Sequence, residues 1–261
     1  MSAARRFEIA GVRLDAMEEA DIVAQVAGWC RRRDGRPRTL CLVNAFSIVA
    51  ASRDGELKTA MNDSDLSIVD GVPVAWVGRR LTGGPCDRLS GPDLMHRLLT
   101  EPEYADIKHF VYGGEQEALT RLEFRYNRGG TATPRRVVGT HAPPFRDLTA
   151  EEERAVLERL EALRPDILWV CLGTSRQEKW LARMRSSLEV PVLAGVGAAV
   201  DFLSGSKPRA PVWLQRLGLE WLFRLVTEPR RLWRRYLIGN IVFLRLAGGA
   251  LRRRTAHGDL E

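Results

Sequence analysis

The chain lacks the features of a secreted, disulfide-linked or membrane-spanning protein. Its four cysteines, Cys30, Cys41, Cys86 and Cys171, form no Cys-x-x-Cys pair, which favours buried, reduced thiols. The amino-terminal segment has no apolar stretch long enough for a signal peptide. The most apolar C-terminal run, residues 236–244, is about half of the ~20 residues that a spanning helix needs. We therefore expect no segment that crosses a bilayer.

Negative charge is absent from a long C-terminal stretch. Residues 230–254 contain eight arginines and no carboxylate, while the whole 261-residue chain has a formal net charge of +7. The formal net charge of the remaining residues is therefore −1. Apolar residues such as Trp233 and Phe243 are interleaved with these arginines. Such a composition is typical of a helix on an anionic membrane surface, and also of a phosphate-binding or nucleic-acid-binding arm.

Short apolar runs alternate with helical patterns over most of the chain. The runs interpreted as strands are residues 40–43, 66–69, 107–112, 136–138, 167–172 and 192–196. The helical patterns are residues 48–62, 72–80, 92–99, 117–126, 150–163 and 177–188. This alternation predicts an α/β, Rossmann-like parallel sheet with helices on both faces. Beyond residue 205 the pattern is only helical, so we predict an α/β catalytic body over residues 1–209 and a helical, basic appendage over residues 210–261.

Unusual polar residues and glycines follow several of the predicted strands. Asn44 follows the first strand, Asp70 the second, Gly113-Gly114 the third, and a polar segment containing Gln177 the fifth. In open α/β sheets, ligands bind beyond the carboxyl ends of the strands. Each residue also has a simpler interpretation: Asp70 would suit the N-cap of the next helix, and the two glycines a plain turn. Glycines before a helix also allow backbone N–H groups to approach a phosphate.

Motifs for a metal or a dinucleotide cofactor are weak. Asp63-Ser64-Asp65 matches a metal-binding Asp-x-Asp string, but it precedes a strand, on the side away from the predicted site. The four histidines form no metal-ligand pattern. The glycines of residues 195–197 come late and lack the spacing and the following acidic residue of a dinucleotide fingerprint. We therefore expect neither a metal site nor a cofactor.

Seven short motifs occur in a recognisable order between about residues 44 and 236. They are residues 69–71 (Val-Asp-Gly), 88–94 (Arg-Leu-Ser-Gly-Pro-Asp-Leu), 111–114 (Val-Tyr-Gly-Gly), 173–180 (Gly-Thr-Ser-Arg-Gln-Glu-Lys-Trp), 195–197 (Gly-Val-Gly), 209–211 (Arg-Ala-Pro) and 218–224 (Gly-Leu-Glu-Trp-Leu-Phe-Arg). Together they resemble the WecG/TagA/CpsF family of bacterial glycosyltransferases. The resemblance implies an inverting, metal-independent transfer of a sugar from a UDP-sugar. The implied acceptor is an undecaprenyl-diphosphate-linked saccharide, used in cell-surface polysaccharide biosynthesis at the cytoplasmic face of the inner membrane.

The resemblance also implies roles for individual residues. Asp70 corresponds to the family's proposed general base, and Asn44, Arg88 and Gln177 correspond to residues that line its pocket. We add the Gly113-Gly114 turn as a candidate contact for the nucleotide phosphate.

Three positions depart from the pattern of some relatives. They are Leu42, residues 143–145 (Pro-Pro-Phe) and Ala198. These departures leave the donor sugar open among N-acetylmannosamine, its uronic acid and glucose.

Transfer without a metal needs cations where the diphosphate departs. We therefore expect one or more arginines of the appendage to reach the substrate diphosphates. The candidates are Arg224, Arg230, Arg231, Arg234 and Arg235. Two alternatives remain, a nucleic-acid-binding protein that uses the arginine-rich segment and a dinucleotide-dependent oxidoreductase. The sequence leaves the oligomeric state open, a homo-oligomer included.

Overall fold

The computed structural model describes residues 5–128 and 136–258. Within these residues the chain forms eight β-strands. They are β1 (Arg5–Ile9), β2 (Val12–Ala16), β3 (Arg38–Val43), β4 (Leu66–Val69), β5 (His109–Tyr112), β6 (Val137–His141), β7 (Ile167–Val170) and β8 (Val192–Gly195). The six predicted strands correspond to β3–β8. The β1–β2 hairpin was not predicted, because its turn uses Ala10 in an uncommon left-handed conformation beside Gly11 (φ of 54° and 82°).

The described residues also form thirteen α-helices. They are α1 (Glu19–Cys30), α2 (Ala45–Ala51), α3 (Gly55–Asn62), α4 (Val72–Thr82), α5 (Gly91–Thr100), α6 (Gln116–Tyr126), α7 (Ala150–Leu163), α8 (Arg176–Met184), α9 (Ala199–Leu203), α10 (Val212–Arg216), α11 (Glu220–Thr227), α12 (Pro229–Trp233) and α13 (Gly239–Gly258). The single helix predicted over residues 48–62 is wrong. It divides into α2 and α3, because the Asp54 side chain accepts a hydrogen bond from Leu57 N and caps a new helix.

Strands β3 to β8 form one parallel sheet in the order β4-β3-β8-β7-β5-β6. Strands β1 and β2 form a separate antiparallel pair. Arg38 of β3 and Ile167 of β7 both pair with Val192 of β8. Every residue of β4, β5, β7 and β8 is buried, as expected for strands covered by helices on both faces. The predicted α/β class, with a helical C-terminal region, is therefore confirmed.

The chain divides into two compact units. The first unit comprises the residues up to Asp21, Leu42–Ser90 and the residues from Arg209 onward. The second unit comprises Ile22–Cys41 and Gly91–Pro208. The appendage thus shares its unit with β4 and the helices that flank β4. The predicted boundary between body and appendage at residue 210 stays a prediction.

The core of the first unit includes part of the appendage. Helix α13 packs against α2 and α4, and it buries Phe243, Ala247 and Ala250. In α4, a Cβ atom on Gly78 would lie 2.5 Å from Cys86 Sγ and 2.8 Å from the Phe7 ring. This glycine is therefore needed for close packing of α4 against its neighbours.

The core of the second unit is built around β5 and β7. Phe110, Leu168 and Val170 lie in one apolar cluster with side chains of α7 and α8. On the other face of the same two strands, Trp169 Nε1 donates a 3.0 Å hydrogen bond to His109 Nδ1. Burial lowers the pKa of His109 to about 3, so the imidazole is neutral and this polar pair is structural.

We predict that Gly78→Ala destabilises the protein by about 1–3 kcal/mol, since the added methyl group overpacks the contact with Cys86 and Phe7. Urea unfolding followed by circular dichroism would measure the change. Gly28→Ala is the matched control, because a Cβ atom at Gly28 of α1 meets nothing within 4 Å. The control should be stabilised by roughly 0.5–1 kcal/mol. Equal effects of the two substitutions would contradict the packing argument.

Candidate active site

In the first unit, Asn44 and Asp70 lie beside each other at the carboxyl ends of β3 and β4. Asp70 N donates a 2.9 Å hydrogen bond to Val43 O. A Cβ atom on Gly71 would lie 3.7 Å from Asn44 Cβ. The structure therefore brings together the predicted base and one predicted substrate contact.

Asn44 and Asp70 are held in different ways. Asn44 is the N-cap of α2, where its Oδ1 accepts hydrogen bonds from Ser47 N (3.1 Å) and Ser47 Oγ (3.2 Å). Asp70 is not an N-cap, since Gly71 occupies that position before α4. The simpler interpretation of Asp70, as the cap of the next helix, is therefore wrong. Its half-buried carboxylate follows a fully buried strand, which is the usual place for a chemical role in this kind of sheet.

Arg88 is fixed next to Asp70 by the backbone. Leu89 N donates a 2.9 Å hydrogen bond to Val69 O, so Arg88 lies beside the last residue of β4. The Arg88 Nη2 atom donates a 2.9 Å hydrogen bond to Glu220 Oε2, and the two side chains are 18% and 22% exposed. Glu220 is the first residue of α11, in the appendage. The predicted pocket arginine therefore forms a part-buried ion pair with the appendage.

A second arginine joins this ion pair. Arg209 Nη2 donates a 3.0 Å hydrogen bond to Ser90 Oγ, and Arg209 Nε lies 3.9 Å from Glu220 Oε1. Glu220 thus lies between two guanidinium groups. The sequence motifs contain Arg209 and Glu220, but sequence reasoning gave neither a role. The available signal was that Glu220 is one of only two carboxylates between residues 209 and 254, a segment with eleven arginines.

The turn between α10 and α11 packs near the predicted base. Gly218 has a φ of 73°, and a Cβ atom there would lie 2.9 Å from Val72 Cβ. Val72 is the first residue of α4, two positions after Asp70. A glycine is needed at residue 218 for both reasons, the left-handed backbone and the close approach.

The arginines of the appendage differ in exposure. Arg224 on α11 is half-buried, whereas Arg230 and Arg234 are exposed. The Arg234 guanidinium lies 5.1 Å from the centre of the Trp233 ring. The side chains of Arg231 and Arg235 lie outside the described part of the structure. A contact of these five arginines with a diphosphate stays a prediction.

In the second unit, Gly113 and Gly114 form the turn after β5 with φ values of 108° and 93°. A Cβ atom on Gly113 would lie 2.7 Å from the Cys171 carbonyl group, so close backbone packing already requires this glycine. The following helix, α6, has Glu115 at its N-cap and Glu117 in its first turn. These carboxylates oppose an anion at the helix N-terminus. A phosphate contact at Gly113 and Gly114 stays a prediction, and the negative charge of Glu115 and Glu117 does not favour it.

Gln177 is also in the second unit, and its side chain is only 3% exposed. Its Oε1 accepts a 2.9 Å hydrogen bond from Gly197 N, and its Nε2 donates one of 2.9 Å to Glu178 Oε1. Glu178 Oε2 in turn accepts from Ser175 N at 2.7 Å. Gln177 therefore ties α8 to the turn after β8. A substrate contact by Gln177 stays a prediction.

An aromatic stack lies at the ends of β5 and β6 in the second unit. The Tyr112 ring stacks on His141 at 5.5 Å and on Trp180 at 4.6 Å between ring centres. Burial raises the pKa of Tyr112 and lowers that of His141. The Tyr112 ring is thus covered by protein side chains, and it belongs to the apolar core of the second unit.

Residues 5–128 and 136–258 contain no group of three His, Cys, Asp or Glu side chains placed to hold a metal ion. Asp63 of the Asp-x-Asp string is the C-cap of α3, and Asp65 directly precedes β4. Asp65 and Asp70 therefore flank opposite ends of the same four-residue strand.

In open parallel α/β sheets, ligands bind beyond the carboxyl ends of the strands, which is where Asp70 and Arg88 lie. The model of the WecG/TagA/CpsF glycosyl transferase family matches residues 7–257, and the chain belongs to that family. It is therefore a glycosyltransferase, rather than the nucleic-acid-binding protein or the oxidoreductase that the sequence left as alternatives.

A relative from Bacillus spizizenii is 29% identical over 188 residues, which cover 72% of this chain and 70% of the relative. That protein is an N-acetylglucosaminyldiphosphoundecaprenol N-acetyl-beta-D-mannosaminyltransferase. The curated relative and the family model agree on the class of reaction.

We predict that Asp70→Asn lowers glycosyl transfer at least about 100-fold, because the amide keeps the size of the side chain and removes the basic oxygen. Radiolabelled sugar transfer would measure the rate, and thermal unfolding would show whether the fold is kept. Asp65→Asn is the matched control at the other end of β4 and should leave transfer unchanged. Undiminished transfer by Asp70→Asn would remove Asp70 from the mechanism.

Proposed function

We propose that this protein transfers a sugar from a UDP-sugar to an undecaprenyl-diphosphate-linked saccharide, with inversion and without a metal ion. The observation that carries the proposal is the pair of opposite charges after β4. Asp70 is a carboxylate that does not serve as a helix N-cap, and Arg88 is held beside the same strand end. The Asp70 carboxylate is suited to accepting a proton, and the Arg88 guanidinium group is suited to binding a diphosphate.

The proposed reaction needs both groups at once. Asp70 accepts the proton of the acceptor hydroxyl group as its oxygen forms a bond to the anomeric carbon. The bond from that carbon to the UDP oxygen breaks on the opposite face, and its electron pair leaves with UDP. Negative charge then grows on the diphosphate, where guanidinium groups stabilise it. Arg88 has five N–H donors, so its ion pair with Glu220 leaves donors for phosphate oxygens.

We propose the remaining predicted residues as supporting contacts. Asn44 lies next to Asp70, while Gln177, Gly113 and Gly114 belong to the second unit. Arg224 and the arginines after Pro229 are candidates for the two diphosphates, since the α10–α11 turn packs on Val72 near the base.

The proposed substrates are taken from the activity that the relative's name states. Because the Bacillus spizizenii protein is a mannosaminyltransferase that acts on a diphosphoundecaprenol-linked N-acetylglucosamine, we propose N-acetylmannosamine as the first donor sugar to test. The test is a panel of UDP-N-acetylmannosamine, its uronic acid and UDP-glucose with a synthetic polyprenyl-diphosphate N-acetylglucosamine acceptor. We expect a β-linked product from one donor in the presence of EDTA. No product from any of the three, or a loss of activity in EDTA, would contradict the proposal.

The appendage supports a peripheral position on the inner-membrane surface. The described part of the appendage has a group of large apolar side chains that are 40% to 73% exposed. They are Val212, Trp213, Leu217, Leu222, Val226, Trp233, Leu237, Ile238, Ile241 and Leu244. No helix in the described ranges is long and apolar enough to span a bilayer. Exposed apolar side chains among arginines suit the surface of an anionic bilayer, and we propose the cytoplasmic leaflet as that surface.

We predict that the double variant Ile241→Ser/Leu244→Ser binds vesicles of phosphatidylglycerol at least about tenfold more weakly, because it removes exposed apolar area from one face of α13. Co-sedimentation with vesicles and with duplex DNA would measure both kinds of binding. Phe145→Ser in the second unit is the matched control, since Phe145 is 94% exposed. Strong DNA binding with no vesicle binding would instead favour a nucleic-acid surface.

A further inference from the structure

Glu220 is a carboxylate placed between two arginines in the first unit. Its Oε2 accepts from Arg88 Nη2 at 2.9 Å, and its Oε1 lies 3.9 Å from Arg209 Nε. Ser90 Oγ holds the other end of Arg209 at 3.0 Å. The contacts thus run from Ser90 through Arg209 and Glu220 to Arg88. Arg88 in turn lies beside the strand that delivers Asp70.

Backbone contacts also hold Glu220 in place, independently of these side-chain contacts. Glu220 begins α11, where a carboxylate is stabilised by the helix dipole. Gly218, two residues earlier, packs on Val72 at the start of α4. The ion pair therefore joins a segment held by β4 to a segment that packs on the first residue of α4. Little conformational freedom is left for Arg88 to lose when a ligand binds.

The charge balance of this cluster suits an anionic ligand. Two arginines and one glutamate leave a net charge of +1, and all three side chains are less than 25% exposed. Without Glu220 the two guanidinium groups would repel each other and turn toward solvent. With Glu220 in place, Arg88 is oriented through one nitrogen and keeps further donors for an anion.

We propose that Glu220 is a positioning residue that holds Arg88 in the orientation that binds a substrate diphosphate. The inference rests on the proposed transfer from a UDP-sugar, and it adds a role for a residue of the appendage. Glu220 does not touch the diphosphate but acts through Arg88. The diphosphate is that of the sugar nucleotide or that of the lipid-linked acceptor.

The test compares Glu220→Gln with wild type in the full-length chain. We expect kcat/KM to fall roughly tenfold to a hundredfold for one substrate, because the neutral amide no longer orients the guanidinium group. Glu220→Asp should recover part of the loss. The matched control is Glu101→Gln, which removes a part-buried 2.6 Å ion pair with Arg97 and should leave kcat/KM unchanged.

Two further measurements separate positioning from a structural role. In an Arg88→Ala background, adding Glu220→Gln should change kcat/KM less than twofold, because a residue that acts through Arg88 has no further effect once Arg88 is gone. Binding of UDP, measured by calorimetry, should weaken in Glu220→Gln if the ligand is the donor diphosphate. If UDP binding is unchanged and kcat/KM falls only for the acceptor, the ligand is the lipid diphosphate.

Several outcomes would overturn the inference. The inference is wrong if Glu220→Gln leaves kcat/KM at the wild-type value. It is also wrong if Glu220→Gln lowers kcat/KM by the same factor in the wild-type and Arg88→Ala backgrounds. Tighter UDP binding by Glu220→Gln would mean that the carboxylate competes with the diphosphate. A wild-type protein that neither binds UDP nor transfers a sugar would overturn the proposed function, and this inference with it.

Discussion

The hydrogen bonds at the end of β4 are the constraint on which the site of the first unit depends. Asp70 N is bound to Val43 O, and Leu89 N is bound to Val69 O. Because the strand is fully buried, these backbone groups have no water to replace their partners. The positions of Asp70 and Arg88 are thus set by the main chain of the sheet. Their side chains start from fixed points, which is what a preorganised site requires.

Charge burial explains why the appendage belongs to this site. A guanidinium or carboxylate group that is about four-fifths buried carries a large desolvation cost, and an ion pair only partly offsets it. Such a pair is therefore weak evidence of a contribution to stability. Its presence is better understood as a means of orienting Arg88, while Arg209 is held by Ser90 and lies within ion-pair distance of Glu220.

The sequence predicts most of the sheet, since apolar runs on both faces of a strand are a strong local signal. It misses the β1–β2 hairpin, whose turn depends on the left-handed Ala10, and the helix break at Asp54, which depends on a cap. In the site, the resemblance singles out Asp70 and Arg88. It cannot foresee the partner of Arg88, because Glu220 lies 132 residues further along the chain. The packing of Gly218 on Val72 brings the start of α11 close to the end of β4.

The appendage cannot be treated as a removable anchor. Helix α13 places Phe243, Ala247 and Ala250 in the core of the first unit while Ile241 and Leu244 remain exposed. Deleting it would open that core and would uncover the faces of α2 and α4 on which α13 packs. Any loss of activity on truncation would then mix unfolding with loss of membrane contact. Substitutions on the exposed face separate the two effects, since they change the surface and leave the buried face of the same helix intact.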